Sequence, residues 1–356
     1  MKPESGSRRR RPLGRRFLVE WLAIGCLGVA AICAGVFWQA TSSVDRLIYD
    51  HLLGARHLAL DPDIVVVQID NASVDRLGRW PWPRSVHARL LDELARARPA
   101  AVVYDVLFIE ASPDDAELGQ ALARVPAWLP VLLSPEAADG TREVSPPVPE
   151  LAARLAGTGH INFEVDPDGI VRSVALAESD GRRDWPQLML SVARALDAPA
   201  GGAGQDAASM ASSIAASAAS TSAPTASTSP AASASSAASR LVRAALPAPG
   251  RYLIPFSRST LDYPAYSLSD VLAGKVPEAA LRGKIVVVGV TAAGLYDRFA
   301  TPISGDFGTL PGVYLHASVL DMLLTGRAIT LASPGWLLLA SLPLLAALLA
   351  GILLLS

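Results

Sequence analysis

The chain has 356 residues, 51% of them hydrophobic, and its 31 basic and 33 acidic residues leave a formal net charge of −2. Lys2, Arg8, Arg9, Arg10, Arg11, Arg15 and Arg16 crowd the N-terminus; without these seven and the acids Glu4 and Glu20, 24 basic residues face 31 acidic ones, net −7. That balance argues against nucleic acid or an anionic membrane surface as a partner of the middle region, and with Cys26 and Cys33 as the only cysteines the region holds neither a disulfide nor a thiol nucleophile.

After the basic residues 1–16, an apolar segment follows at 17–38, uncharged from Trp21 to Trp38 and long enough to cross a bilayer as a helix. Its basic flank predicts a cytoplasmic N-terminus and an extracytoplasmic middle domain, 39–334. A cleavable signal peptide is the competing reading, but the apolar run is longer than such peptides use and no small-x-small site follows it. Glu20 reads as interfacial, near Arg16. Cys26 and Cys33 share one helix face, which suggests packing, a second protomer being one candidate surface.

Val44, Leu47, Ile48, His51, Leu52 and Ala55 recur at helical spacing, so Thr41–His57 is expected to continue the span outward as an amphipathic stalk. Ile64–Ile69, Ala101–Phe108 and Lys284–Val290 are near-continuous β-branched runs, as in strands of a parallel sheet covered on both faces. Between the first two, Arg84–Ala97 carries Val86, Leu90, Leu91 and Leu94 on one side of a helix. A helix is expected over Asp114–Val125 with Ser112 as its cap, and another over Gln187–Leu196. His160–Glu178 reads as a β-hairpin turning at Asp166-Pro167-Asp168-Gly169; the turn lacks the further acids of a calcium loop.

Residues 198–240, nearly all Ala, Ser, Thr and Gly, are expected to be a disordered insertion. Beyond it a strand (Tyr252–Phe256), a short helix (Ser269–Ala273), the third core strand, an irregular loop (292–312) and a helix (Val313–Thr325) lead to a second apolar span, 335–355. The predicted class is α/β: a mostly parallel central sheet with flanking helices and an antiparallel hairpin addition, bracketed by transmembrane helices.

Asp70 and Asp105 end two core strands, where the crevice of an open α/β sheet binds ligands. Together with Asp297 in a later loop they suggest a cation or cationic ligand; alternatively each caps a following loop or helix. Trp80-Pro81-Trp82-Pro83 offers a rigid aromatic wall, or plain packing, with Arg84 at the helix start. Gly289–Gly294 has phosphate-loop glycine spacing, but Leu295-Tyr296 replace the required Lys-Ser/Thr; exposed amides at this turn are a candidate anion site, with a plain structural turn as the alternative. His160 and His316 stand apart in sequence, so no metal and no cofactor is expected. No hydrolase elbow, metalloprotease helix or kinase set appears, so catalysis is not expected.

Several of these segments, taken in order, resemble one family. Asp70, Leu77-Gly78-Arg79-Trp80-Pro81-Trp82-Pro83-Arg84, Asp105-Val106-Leu107-Phe108, Gly159-His160-Ile161-Asn162 and Asp166-x-Asp168-Gly169-x-x-Arg172 are followed by Tyr266-Ser267, Asp270-Val271-Leu272 and Gly283–Gly289. Asp297 with Thr301-Pro302 and Gly312-Val313 with His316-Ala317 complete the series. The pattern, from about Asp45 to Arg327, resembles the CHASE2 domain, an extracellular sensory domain of bacterial receptors. The resemblance implies a sensor whose output is a cyclase, a histidine kinase or a protein kinase; the apolar spans put it among the lipids of the inner membrane, and a homodimer is expected to supply a second helix set for signalling. Asp70, Trp80, Trp82, Arg84, Asp105, Asp297 and Thr301 are its candidate ligand-binding residues. The Ala/Ser tract departs from the family pattern, and no output domain follows the last span, as in a fragment of a longer receptor or a sensor working through a partner. The rival readings are an envelope scaffold without a ligand and a periplasmic hydrolase using Asp70 and Asp105 as acid and base.

Overall fold

A computed structural model describes residues 15–37, 42–198, 245–295, 298–331 and 333–355, which divide into two compact units, Met1–Tyr49 with Leu331–Ser356 and Asp50–Thr330. The insertion expected over 198–240 falls almost wholly outside the described residues, as do Asp297 and the junction 38–41 at which the first span was expected to run on into the stalk.

The first unit contains α1 (Arg15–Phe37) and the last helix, Pro334–Leu355. Val19–Val36 and Gly335–Leu354 are long and apolar enough to cross a membrane, and neither is buried in the protein. The two helices meet where Gly25 and Gly28 face Leu349 and Leu345, the small residues allowing close approach. Trp21 Nε1 donates to the carbonyl of Leu349 at 3.0 Å.

The second unit begins within α2 (Ser42–Gly54). Its central sheet is built from β1 (Ile64–Ile69), β2 (Ala101–Tyr104), β3 (Ala127–Leu133), β4 (Val144–Ser145) and β5 (Gly157–His160), with β11 (Ala265–Ser267) and β12 (Ile285–Val290) from the later half. The strand order is β11-β1-β12-β2-β3, with β5 on β3 in parallel and β4 antiparallel at the end of β3. The three β-branched runs occupy the centre and are almost wholly buried, because a sheet covered on both faces leaves no side for polar residues.

On one face lie α3 (Asn71–Leu77), α4 (Arg84–Ala97) and α5 (Asp115–Leu122); Leu90, Leu91 and Leu94 of α4 join Val65, Val67, Val102 and Val286 in the main core. On the other, the helix Gly312–Thr325 packs on β12 and β1 and against α7 (Leu188–Asp197), and is buried from Gly312 to Leu324. The predicted hairpin forms between β6 (Glu164–Val165) and β7 (Val171–Ala175), extended by β10 (Arg251–Leu253); β8 (Ala177–Ser179) and β9 (Asp184–Pro186) pair beside it.

Three details differ from expectation. The second core strand stops at Tyr104, because Asp105 gives its N–H to the carbonyl of Val288 and Val106 turns back onto Tyr104. Ser112 does not cap α5; its backbone N–H instead donates to the Asp115 carboxylate at 2.6 Å. The strand β12 lies between β1 and β2, so Asp70 and Asp105 do not leave neighbouring strands.

The hairpin turn serves an ion-pair cluster. Gly169, at φ +83°, closes the turn and lets Asp166 and Asp168 converge on Arg172. The Arg172 guanidinium, 3% exposed, also reaches Asp50 of α2: Nε to Oδ1 at 2.8 Å and Nη2 to Oδ2 at 2.6 Å, with Asp166 at 2.8 Å and both Asp168 oxygens at 2.9 Å. Burial opposes the charge, but the bonds to Asp50, Asp168 and Asp166 outweigh it and raise the pKa of Arg172. With Leu53 in the core and the Arg56 carbonyl bonded to Arg258 N–H, this cluster fixes the end of α2 to the domain.

Candidate functional site

A cavity of about 760 Å³ opens beyond the carboxyl ends of β2, β3, β5 and β12, the end of the sheet at which ligands of open α/β folds bind. Its lining includes Trp80, Trp82, Arg84 and Asp105 from the predicted set. Asp70 and Thr301 lie outside it, and Asp297 is outside the described residues. Asp70 caps α3, accepting from Ser73 N–H at 2.8 Å and from the hydroxyls of Ser73 and Ser267 at 2.6 and 2.9 Å. Thr301 closes a turn in which its N–H donates to Ser304 Oγ at 2.8 Å. An acid/base pair of Asp70 with Asp105 is therefore not formed.

The two tryptophans divide their work. Trp82 is 5% exposed and donates its Nε1–H to the Gly78 carbonyl at 2.8 Å, so it chiefly holds the segment down. Trp80 packs edge-on to Trp82 and to His87, at ring separations of 5.0 and 5.7 Å. His87 bonds the Tyr104 hydroxyl at 2.7 Å; burial, then the charge of Arg84, lowers its pKa to about 4, which keeps the ring neutral. Arg84, placed by Pro83 at the first position of α4, lies over the Phe108 ring at 4.4 Å, pairs with buried Asp115 at 3.1 Å and donates to the Glu110 carbonyl at 2.8 Å.

Asp105 is the most unusual group. It is buried, its Oδ2 has no hydrogen-bond partner among the described residues, and burial pushes its pKa up to about 7. His316, from the buried helix Gly312–Thr325, presents Nε2 at 3.7 Å from Oδ2, while its Nδ1 lies 3.4 Å from Gln187 Nε2 and its ring stacks on Phe163 at 4.8 Å. Gly289 makes this approach possible. A Cβ there would meet Val313 Cβ at 2.7 Å and force the helix away from the sheet. His160, at the end of β5, has no partner for either ring nitrogen; burial, then His316 and Arg142, lowers its pKa to about 3.

Sequence reading missed much of the opposite wall. Arg142, Asn162, Phe163, Glu164, Glu178 and Phe299 all line the cavity. Asn162 Nδ2 bonds Glu178 at 3.0 Å and the Leu133 carbonyl at 3.2 Å, and Arg142 stands 3.5 Å from Glu178. Only Gly159-His160-Ile161-Asn162 was marked beforehand, through a family pattern and without a role. The phosphate-loop spacing leads elsewhere: the amides of Thr291 and Ala292 bond the Ile69 carbonyl and that of Ala293 bonds Asn71 Oδ1, so these three are engaged within the protein. Among the described residues no three His, Cys, Asp or Glu side chains are placed to hold a metal ion.

The family model of the CHASE2 domain matches residues 27–356. No curated protein and no solved structure matches the chain.

Proposed function

The chain belongs to the CHASE2 domain family, whose members are extracellular sensory domains, and from that premise we propose that this protein is a membrane-anchored receptor subunit that binds its signal in the strand-end cavity. The carrying observation is the cavity itself. Its floor joins β2, β12 and the buried helix Gly312–Thr325 through Asp105 and His316, and that helix precedes the second apolar span in the sequence. A ligand seated there bears on the exit helix. On the entry side, Arg172 ties Asp50 of α2 to the domain, so a change in the domain's packing is delivered to α2 and not absorbed in a loop. A ligand shifts the arrangement only by as much as it binds one state better than the other.

Asp70 and Thr301 act in this reading as supports around the site and not as contacts, and Asp297 stays a candidate contact. The basic N-terminus supports a topology with residues 1–16 in the cytoplasm and the domain 39–334 outside, between spans 17–38 and 335–355, with a cyclase or kinase in the cytoplasm as the output.

The receptor works as a homodimer. On α2, Leu47, Ile48 and Leu52 are 70%, 53% and 59% exposed, an apolar stripe that a second copy of the helix would cover. In membranes containing the Cys26→Ser/Cys33→Ser chain, single cysteines at positions 47, 48 and 52 are expected to form dimer crosslinks that an Arg46→Cys probe on the opposite side of the helix does not, and Arg172→Ala is expected to alter their relative yields. Equal yields at all four positions, unchanged by Arg172→Ala, would remove both the dimer and the coupling through α2.

A further inference from the structure

The cavity's charges are almost all spoken for, and what remains identifies a ligand class. This step rests on the cavity being the signal-binding site. Arg84 is taken by Asp115 and the Glu110 carbonyl. Arg142 is held by the Ser134 carbonyl, Glu136 and Glu178. Glu164 pairs with Arg251, and Glu178 is further bonded by Asn162. The exception is Asp105, whose side chain, 5% exposed, lines the cavity while its Oδ2, turned away from solvent, has no hydrogen-bond partner among the described residues. His316 is the nearest basic group, at 3.7 Å, beyond hydrogen-bond reach.

An anionic ligand would find both arginines engaged and an acid on the floor. A neutral polyol would need many free donors and acceptors, whereas the walls are Trp80, Phe108, Phe163 and Phe299. A cation gains twice, from a charge-assisted bond to a carboxylate in a poorly solvated place and from the faces of aromatic rings. About 760 Å³ accommodates a ligand well beyond a bare ammonium ion. We propose that the cavity takes an organic ammonium ion, its N–H donating to the Asp105 carboxylate and its apolar body lying against Trp80, Phe163 and Phe299.

The test uses the full chain in detergent, with thermal unfolding followed in the presence of three isosteric probes: phenethylamine, 2-phenylethanol and phenylacetate. Phenethylamine is expected to raise the midpoint saturably, and Asp105→Asn to weaken its half-effect concentration by about 10- to 100-fold, the loss of one charge-assisted hydrogen bond. Asp105→Asn removes a buried charge and keeps the shape, so it should remain folded, and Trp80→Ala provides an independent lesion of the wall. A phenethylamine effect that is identical in wild type and Asp105→Asn, or no saturable effect of phenethylamine, would overturn the assignment. Stabilisation by phenylacetate instead, lost on Arg142→Ala, would overturn the ammonium class while leaving the cavity as the signal site; the crosslinking on α2 tests that broader reading independently of any ligand.

Discussion

Replacing Arg172 by alanine is expected to destabilise the domain Asp50–Thr330 by about 3–5 kcal/mol, the cost of removing one partner from a buried ion-pair cluster. The guanidinium grips Asp50, Asp166 and Asp168 together, and its loss leaves these three carboxylates facing one another with partial burial. Arg172→Lys keeps the charge but lacks the planar fork that grips Asp50 and Asp168 at once, so an intermediate loss is expected. Asp50→Ala should cost less than either, because Asp166 and Asp168 still hold the arginine; its effect should fall on α2, as faster amide exchange over residues 45–54. Denaturant unfolding of the full chain in detergent reads the first two. A loss for Arg172→Ala below about 1 kcal/mol would mean that the cluster behaves as a solvent-screened surface network.

The second large effect is a pH dependence carried by Asp105. Its carboxyl is raised in the folded protein to about 7 by burial, so its contribution is complete below the unfolded carboxylate range and is lost as pH rises through 7. Between pH 5 and pH 8 the wild type should therefore lose stability relative to Asp105→Asn by about 2–3 kcal/mol, from a shift worth 1.36 kcal/mol per pH unit over the window in which folded and unfolded states bind different numbers of protons. Asp321, raised to about 6 by burial first, slopes the same way. His87 and His160, lowered to about 4 and about 3, slope oppositely, because the unfolded chain takes up protons below pH 6.5 that the folded one refuses. The wild-type profile alone is thus flattened by cancellation, and the difference between wild type and Asp105→Asn isolates the carboxyl. A wild-type stability that, relative to Asp105→Asn, stays constant or increases from pH 5 to pH 8 would contradict the buried state of Asp105.

Much of the fold was readable because its central strands and helix announce themselves by period. Ile64–Ile69, Ile285–Val290 and Arg84–Ala97 sit where β-branched runs and an apolar stripe put them. The strands that were missed are those whose composition answers to packing and not to strand propensity. Pro130 interrupts Ala127–Leu133. Gly157–His160 contains two glycines because a Cβ at 157 would meet the Trp128 ring at 2.7 Å and one at 159 would meet the backbone of Pro186 and Leu188 at 2.7 Å. Such contacts are long-range and leave no local trace.

The site was legible in halves. Asp105, Trp80 and Arg84 follow from strand ends and a loop-to-helix junction, which locate a crevice. Asp70 looked equivalent to Asp105 in sequence, yet the insertion of β12 between their strands and the nearby Ser73 and Ser267 hydroxyls made it a cap. His316 lies far along the chain from Asp105, and only the glycine at 289 brings its helix close enough to matter.

The account depends first on where the sensory domain lies. Val165 is 57% exposed on the hairpin and remote in sequence from both spans. A cysteine at this position in the Cys26→Ser/Cys33→Ser chain, expressed in a bacterial host, is expected to react with a membrane-impermeant maleimide in spheroplasts whose inner membrane is intact. Labelling that appears only after the inner membrane is permeabilised would put the domain in the cytoplasm and contradict the receptor.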